Sequence, residues 1–510
     1  MKRLSKKQMI IFAIGQLGWS LLGGIISAWL VTYFLPTEAD KTNLGATQYL
    51  IPGLAIGGFL TVIGLITALS RVFDAVSDPL IASLSDRSTC KRGRRIPFMQ
   101  IAAVPFAVIT VLLFVIDFGS YDSPNGWVNI LWVSVMIVLF YTFMTMYCTP
   151  YNALISEFGK TQEDRMFIST SISLTYFAGT LIAYIPFVLA GASLDDNGNY
   201  VPSLITKILL NNGASMQDAF AWSFRICFIV LAVIACVCML LPTFLLKEKE
   251  FVDSKPSREN VLKSLTSTFK NKDFRTFAGS DIMYWIGLTM FQTGLPFFVK
   301  VSLGFNAKMV MVFMGGMTVL SAVFYPFVTN LVKKFGKKKL VIAGFLGLAI
   351  CYAITAISSI PGLLPNQQGL GDTNVLSWVF GVVIMLISAL PMALLGIIPQ
   401  SMVADVAEAE AVTTGENREG MFFAARTFAM KLGQSVAMIL FTSITLIGGT
   451  KVEQEIYPAK IGMLIVALVA VLFCVAGAVI LFFYREKKIM KTIAKEGDEA
   501  FLKAAEENNK

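Results

Sequence analysis

Apolar blocks of roughly 20 or more residues recur along the whole chain. That is the length a helix needs to cross a hydrocarbon core of about 30 Å at about 1.5 Å rise per residue. Twelve can be delimited, at residues 9–35, 58–85, 96–117, 128–156, 166–191 and 219–246, then at 276–300, 308–332, 339–360, 375–402, 420–447 and 459–484. The balance of 55% hydrophobic to 15% charged residues lies well to the apolar side of soluble domains, which excludes a water-soluble fold. The basic run at Met1 to Lys7 is followed by an apolar stretch, Met9 to Leu35, longer than a signal-peptide core and without a small-residue cleavage site. It reads as an uncleaved first span.

Several function classes fall away on composition. A net charge of +9 would mark a nucleic-acid partner only if the basic residues clustered on a solvated domain, and here they sit between spans. The absence of histidine excludes a Ser-His-Asp triad and every His-ligated metal site, and no nucleophile and base point to an enzyme. Of the seven cysteines, six lie inside apolar blocks and Cys90 lies in a basic loop, so no disulfides are expected.

Assigning alternate loops to one side gathers roughly three-quarters of all Lys and Arg there, which the positive-inside rule makes cytoplasmic, with both termini. The polar stretch 247–275 divides the chain into an N-terminal six-helix bundle, 1–246, and a C-terminal one, 276–484. The mixed-charge tail 485–510 reads as a solvated cytoplasmic helix. A basic loop follows the second span of each half, Ser85 to Arg95 and Lys333 to Lys339. Repeated halves across a midplane cavity are the architecture of alternating access; basic turns on a cytoplasmic side would account for part of the match.

The chemistry concentrates in the second span. Asp74 and Asp78 are four residues apart and share one helix face, where two carboxylates form a cation or proton site. At about 2.5 to 3.5 kcal/mol each at a helix centre, they need compensation. A bound cation supplies it, and so would a permanent salt-bridge network with Arg71. In the eleventh span Arg426 and Lys431 interrupt an apolar stretch, Lys431 deeper; it either faces the Asp pair or snorkels towards an interface. Pro150, Tyr151 and Asn152 follow Thr145 and Cys148 in a kinked fourth span. Trp19 and Ser20 sit at mid-depth in the first span after Gly15 and Gly18, and Trp19 offers either a platform for a sugar ring or a packing contact.

On these residues the chain resembles the glycoside-pentoside-hexuronide:cation symporter family of the major facilitator superfamily, over nearly its whole length. The specific portion is Arg71 to Pro79 followed by Ser85, Asp86, Arg87, Lys91, Arg92, Gly93, Arg94, Arg95 and Pro97. The resemblance implies an all-α membrane protein of twelve transmembrane helices in two six-helix bundles. It also implies a cation site of Asp74 and Asp78 with Thr145 and Lys431. Ser77 stands where the family carries an asparagine that tunes sodium binding, so sodium and proton both stay open as the coupling ion. No other cofactor is implied.

The solute positions depart from the family. Its helix-I Lys-Asp pair is replaced by Trp19 and Ser20, its helix-IV aspartate by Cys148, the aromatic that follows by Asn152, and its helix-V arginine by Ser173. By position and depth, Trp19, Ser20, Arg71, Cys148, Tyr151 and Asn152 are expected to face a small solute, a sugar or glycoside. The run Pro150 to Leu154 also resembles that of lysolipid symporters, which keeps an amphiphile open. The loop Asp86 to Arg95 resembles the superfamily's signature loop, with Asp86, Arg87, Arg94 and Arg95 in a cytoplasmic gate that Asp405 and Glu408 after the tenth span would complete; a plain solvated loop explains those two acids nearly as well. A monomer in a bacterial plasma membrane follows from the resemblance, and a non-transporting membrane sensor is the rival from another class.

Overall fold

In a computed structural model of the chain, the residues described are 3–35, 50–51, 61–86, 88, 90, 92–119, 124, 126–159, 162–194, 200–251, 268–364, 374–414, 419–449, 451–452, 455–456 and 458–493. Among the described residues twelve long helices carry the fold. The first six are α1 (Lys6–Phe34), α2 (Val62–Asp86), α3 (Ile96–Val115), α4 (Gly126–Phe158), α5 (Gln162–Ile182) and α6 (Met216–Leu245). The second six are α7 (Lys272–Phe297), α8 (Lys308–Phe335), α9 (Lys337–Ser358), α10 (Val375–Thr414), α11 (Glu419–Ile444) and α12 (Lys460–Phe482). Among the described residues eleven helices are long and apolar enough to cross a membrane. The twelfth, α2, falls out because any eighteen-residue stretch of it contains Arg71, Asp74 and Asp78. All seven cysteines are free thiols.

The packing repeats. In the first half α1 lies against α5 and α6, α3 against α4 and α6, and α2 against α4; adding six to each number gives the pairs of the second half. Close approach within the first bundle depends on glycine: a Cβ on Gly18 would stand 2.5 Å from the Ala235 carbonyl oxygen of α6, and one on Gly24 2.8 Å from the Ala183 Cβ. A second repeated device closes each bundle on the side of the basic loops. Glu248, just past α6, accepts the backbone N–H groups of Arg94, Arg95 and Ile96, the free donors at the start of α3. Glu486, just past α12, accepts those of Lys337 and Lys338 at the start of α9. Each helix start is preceded by a glycine with positive φ, Gly93 at 129° and Gly336 at 81°.

The two halves meet unevenly. Helices α2 and α11 pack along their length, whereas the pair that the repeat makes equivalent, α5 and α8, meets sparsely, and α1 touches α7.

Three expectations change. Helix α10 runs on to Thr414, so Asp405 and Glu408 lie on helix rather than in a loop. Gln400 to Thr414 holds no breaker, is rich in Ala and Glu, and buries Val403, Val406 and Ala407. The fifth span is broken: α5 ends at Ile182, and a separate turn of helix follows at Pro186–Leu189, where proline cannot donate to a preceding carbonyl. Between this turn and α6 come a short hairpin, Ala192–Leu194 with Tyr200–Pro202, and a helix, Leu204–Asn211, which the spans did not reveal. Helix continues over residues 486–493 of the tail, and the remainder lies outside the described residues.

Because Glu248 is buried and takes three N–H groups with one carboxylate, Glu248→Ala should cost about 2 kcal/mol or more. The expected outcome is a lowered melting temperature in detergent, with Glu486→Ala behaving alike.

Candidate functional site

Helix α2 turns three charged side chains into the protein because they recur at helical spacing: Arg71, Asp74 and Asp78 are three and four residues apart. Asp74 is fully buried. Lys431, from α11 in the other half, reaches both carboxylates, with its Nζ 2.8 Å from Asp74 Oδ1 and 2.6 Å from Asp78 Oδ2. Thr145 of α4 donates its hydroxyl to Asp74 Oδ1 at 2.6 Å. Among the described residues Asp74 Oδ2 receives no hydrogen bond, and Arg71 Nη1 lies 3.9 Å from it. The Arg71 guanidinium lies over the Tyr141 ring, 4.4 Å from its centroid. Ser77 spends its hydroxyl on the Asp74 carbonyl rather than on either carboxylate. Two acids and two bases thus form a neutral cluster, and Asp78, 20% exposed, is its open end.

The cluster sits in a sealed seam. Lys431, Ser435 and Thr442 share one face of α11. Ser435 donates to the Ala68 carbonyl at 2.8 Å, and Thr61 bonds Thr442 at 2.6 Å. Gly64 is required there, since a Cβ would stand 2.0 Å from Thr442 Oγ1.

The residues expected to face a solute divide. Cys148 and Asn152 follow Thr145 on its face of α4; Cys148 is half-buried within electrostatic reach of Lys431 and both aspartates, and Asn152 is exposed. Trp19 is half-buried, with its ring centroid 6.2 Å from that of Tyr176 of α5. Tyr151 packs inside the first bundle, stacked on Phe12 at 4.3 Å with its hydroxyl donating to the Phe12 carbonyl. Ser20 is buried against Gly179 of α5 and bonds the Leu17 carbonyl. Arg71 is held by Asp74 and Tyr141, as above. These last three are therefore engaged by helix packing.

At the expected gate, Arg87 and the Asp86 side chain lie outside the described residues. Arg94 and Arg95 are bound through their backbone by Glu248. Asp405 accepts from Lys337 Nζ at 2.6 Å inside the second bundle, and Glu408 is exposed. These bonds of Arg94, Arg95 and Asp405 are each made within their own half.

Two groups of residues escaped the sequence reading. Asp281 of α7 forms a buried two-pronged pair with Arg426, Nε to Oδ2 at 2.9 Å and Nη2 to Oδ1 at 3.2 Å. Helix α11 is thereby tied to its own bundle by Arg426 and to the other by Lys431. An acid inside the block 276–300 was the available signal. Aromatic residues also bridge the halves, with Phe177 of α5 and Tyr325 of α8 at 5.7 Å, and nothing in sequence spacing pairs them.

A repeated twelve-helix membrane protein with a buried acid–lysine cluster joining its halves is built as a secondary transporter. The chain belongs to the MFS/sugar transport protein family, whose sequence model matches residues 11–487. This makes it a multi-pass membrane transporter of the major facilitator type and not an enzyme, in keeping with the symporter family it resembles. Among curated relatives it is 25% identical over 495 residues to the "Uncharacterized symporter YjmB" of Bacillus subtilis (strain 168), covering 95% of this chain and 93% of that protein. It is 22% identical over 476 residues to the sodium-dependent lysophosphatidylcholine symporter 1 of Xenopus tropicalis, covering 86% and 83%. The crystal structure of a D-xylose-proton symporter superposes with a TM-score of 0.59 at 14% identity, covering 94% of this chain and 98% of that one, which establishes the shared fold.

Breaking a buried ion pair leaves an uncompensated charge, at a cost of about 3 to 5 kcal/mol, while removing both partners costs far less. Asp281→Leu and Arg426→Met should each lower the melting temperature sharply, and the double variant should recover most of the loss in a double-mutant cycle.

Proposed function

We propose that the protein is a cation-coupled symporter that carries a sugar or glycoside inward by alternating access. The basic side and both termini face the cytoplasm, residues 1–246 and 276–484 move as the two bundles, and the protein acts as a monomer in the plasma membrane. The observation that carries this reading is Lys431 bridging Asp74 and Asp78 between the halves. A lysine ammonium there occupies the place a cation would take. Binding of sodium, or of a proton on a carboxylate, weakens the hold of Lys431 on α2 and loosens the seam, so the ion and the relative position of the bundles are linked. Asp74, Asp78 and Thr145 supply oxygen ligands, hard donors suited to such an ion. Ser77 supports the turn, its hydroxyl being committed to the Asp74 carbonyl.

Cys148 and Asn152 follow Thr145 along α4, and Trp19 of α1 stands half-buried beside Tyr176 of α5; in this reading these three face the solute. A solute bound beside them senses the same movement, which supplies the reciprocal coupling of about 1 to 3 kcal/mol usual for such systems. The family description supports a sugar. Arg94, Arg95, Asp405 and Glu408 line the cytoplasmic face in this reading and bias the equilibrium between bundle positions, a role the signature-loop resemblance gives Asp86 and Arg87 as well.

A second reading replaces the sugar with an amphiphile, and one observation favours it. The α5–α8 seam is held by few contacts, among them Phe177 with Tyr325 and Leu181 beside Gly315, whereas α2–α11 is sealed. A slot there would admit an acyl chain from the bilayer, and the similarity to a lysophosphatidylcholine symporter points the same way.

The deciding experiment is uptake into proteoliposomes of labelled glycosides, pentoses, hexuronates and lysophosphatidylcholine under imposed sodium or proton gradients. Wild type should concentrate one compound class under one gradient. Asp78→Asn should abolish gradient-driven accumulation, and Thr145→Val should weaken the apparent cation affinity about tenfold, the worth of one hydrogen bond to a charged group. Equal accumulation by Asp78→Asn would sink the coupling site.

A further inference from the structure

Helix α7 carries polar side chains at every fourth position of one face: Asp281, Trp285, Thr289 and Thr293. Helix α11 runs parallel to it with Arg426, Met430, Gln434 and Met438 at the same spacing. The stripes are joined at both ends, by the Asp281–Arg426 pair and by the Thr293 hydroxyl donating to Met438 Sδ at 3.6 Å. Each stripe advances twelve residues between these joints, so they stay in step, and Thr289 stands level with Gln434 between them. Gly433 lets the backbones close up, since a Cβ there would come within 2.9 Å of the Ile282 carbonyl oxygen.

In the middle the pairing fails. Trp285 Nε1, Thr289 Oγ1 and Gln434 Oε1 are buried and have no hydrogen-bond partner among the described residues, and Thr289 as a whole is 8% exposed. Trp19 of α1 shows the same defect at its Nε1. Trp19 and Trp285 are each the fourteenth residue of their helices, which begin at Lys6 and Lys272, and α1 packs on α7. Three unmatched polar atoms thus lie along the α7–α11 seam at mid-depth, about one turn of α11 from Lys431, and Trp19 adds a fourth on α1, the first-bundle helix that packs on α7. Native interiors pair such atoms, and a cluster of exceptions calls for a bound group.

We infer that the α1–α7–α11 junction, through Trp285, Thr289 and Gln434 with Trp19 opposite, is the second bundle's share of the solute site and takes a hydroxylated ring. This rests on the sugar reading above and deepens it. The indole N–H groups only donate, the Gln434 oxygen only accepts, and the Thr289 hydroxyl does both. Adjacent hydroxyls of a pyranose accept from one and donate to the next, and the indole faces suit its C–H surface. Lysophosphatidylcholine has a single O–H donor, on its glycerol, whereas a pyranose presents several adjacent hydroxyls, so the sugar matches Thr289 and Gln434 Oε1 together. The Asp281–Arg426 pair closes the site on the side of the basic loops and keeps it neutral. Solute bound there meets the first bundle at Trp19 and α11 beside the cation site.

The test is equilibrium dialysis of the full chain in detergent, with sodium chloride saturating or omitted and at two pH values, with labelled D-xylose, methyl β-D-glucopyranoside, D-glucuronate and lysophosphatidylcholine as probes. At least one sugar should bind saturably, and Trp285→Phe, Thr289→Val and Gln434→Leu should each weaken it about three- to tenfold. Thr293→Val, whose hydroxyl is already bonded, should stay within about twofold of wild type as the packing control. A ligand-free readout accompanies it: Thr289→Val should raise the melting temperature by about 2 °C, because it removes an unmatched hydroxyl without changing shape. Sugar affinity unchanged in the three variants, binding of lysophosphatidylcholine alone, no binding by any probe, or a fall in melting temperature for Thr289→Val would each overturn the assignment. Sugar binding that ignores sodium and pH would sink the symport reading instead and leave this site standing.

Discussion

An ammonium group held between two carboxylates inside a membrane is the constraint around which this protein is organised. Either acid alone on α2 would cost about 2.5 to 3.5 kcal/mol at a helix centre, and Lys431 alone on α11 a similar amount. Brought together at 2.6 and 2.8 Å they compensate one another, and because they belong to different halves, the compensation exists only while the halves are in contact. Folding each bundle and docking the two are therefore linked by electrostatics as well as by packing. The glycine at position 64 and the hydroxyls of Thr61, Ser435 and Thr442 bring the helices close enough for the bridge to form.

The asymmetry between the two seams follows from where the charge was placed. The repeat makes α5–α8 the counterpart of α2–α11, yet α5 and α8 carry no such bridge among the described residues, and they meet through aromatic and aliphatic contacts such as Phe177 with Tyr325. A seam of dispersion contacts loses little when it parts, because lipid tails replace what is lost. A seam holding a buried ion pair cannot part without supplying each charge with a new partner. Motion is thus expected to open α5–α8 readily and to be conditional at α2–α11, where, on the proposed function, a coupling ion would provide the substitute.

Much of this could be read from the residues in order. The spans follow from apolar length, with the charged second one the least apolar, and Asp74 and Asp78 stand out through the cost of charge in lipid; that Lys431 faces them rather than snorkels was implied by the family resemblance. What could not be read has a common cause, since it depends on which helix faces which. Tyr151 looked like a lining residue beside Pro150, but α4 turns it onto Phe12 of α1. Ser20 is directed at Gly179, a contact fixed by the α1–α5 crossing rather than by any local pattern. The extension of α10 through Asp405 and Glu408 was hidden because hydropathy ends a span where apolarity ends, although helix propensity continues. Glu248 and Glu486 were legible in principle as acids just past the last helix of each half, but their role as caps required knowing that α3 and α9 begin beside them.

Helix α11 is the element through which these features act on one another. Its two cationic side chains are five residues apart and so point in different directions, Arg426 to Asp281 in its own bundle and Lys431 to the acids of the other. The first pair has both carboxylate oxygens engaged by a guanidinium, a geometry that fixes orientation. The second is a point charge shared between two carboxylates, with Asp78 partly open. In the proposed function the first anchor is permanent and the second is the one a coupling cation exchanges. On that proposal α11 moves with its own bundle while reporting the occupancy of a site in the opposite one. The unmatched polar atoms of Gln434, Thr289 and Trp285 lie between the two anchors and Met438, where a change in the position of α11 is felt directly.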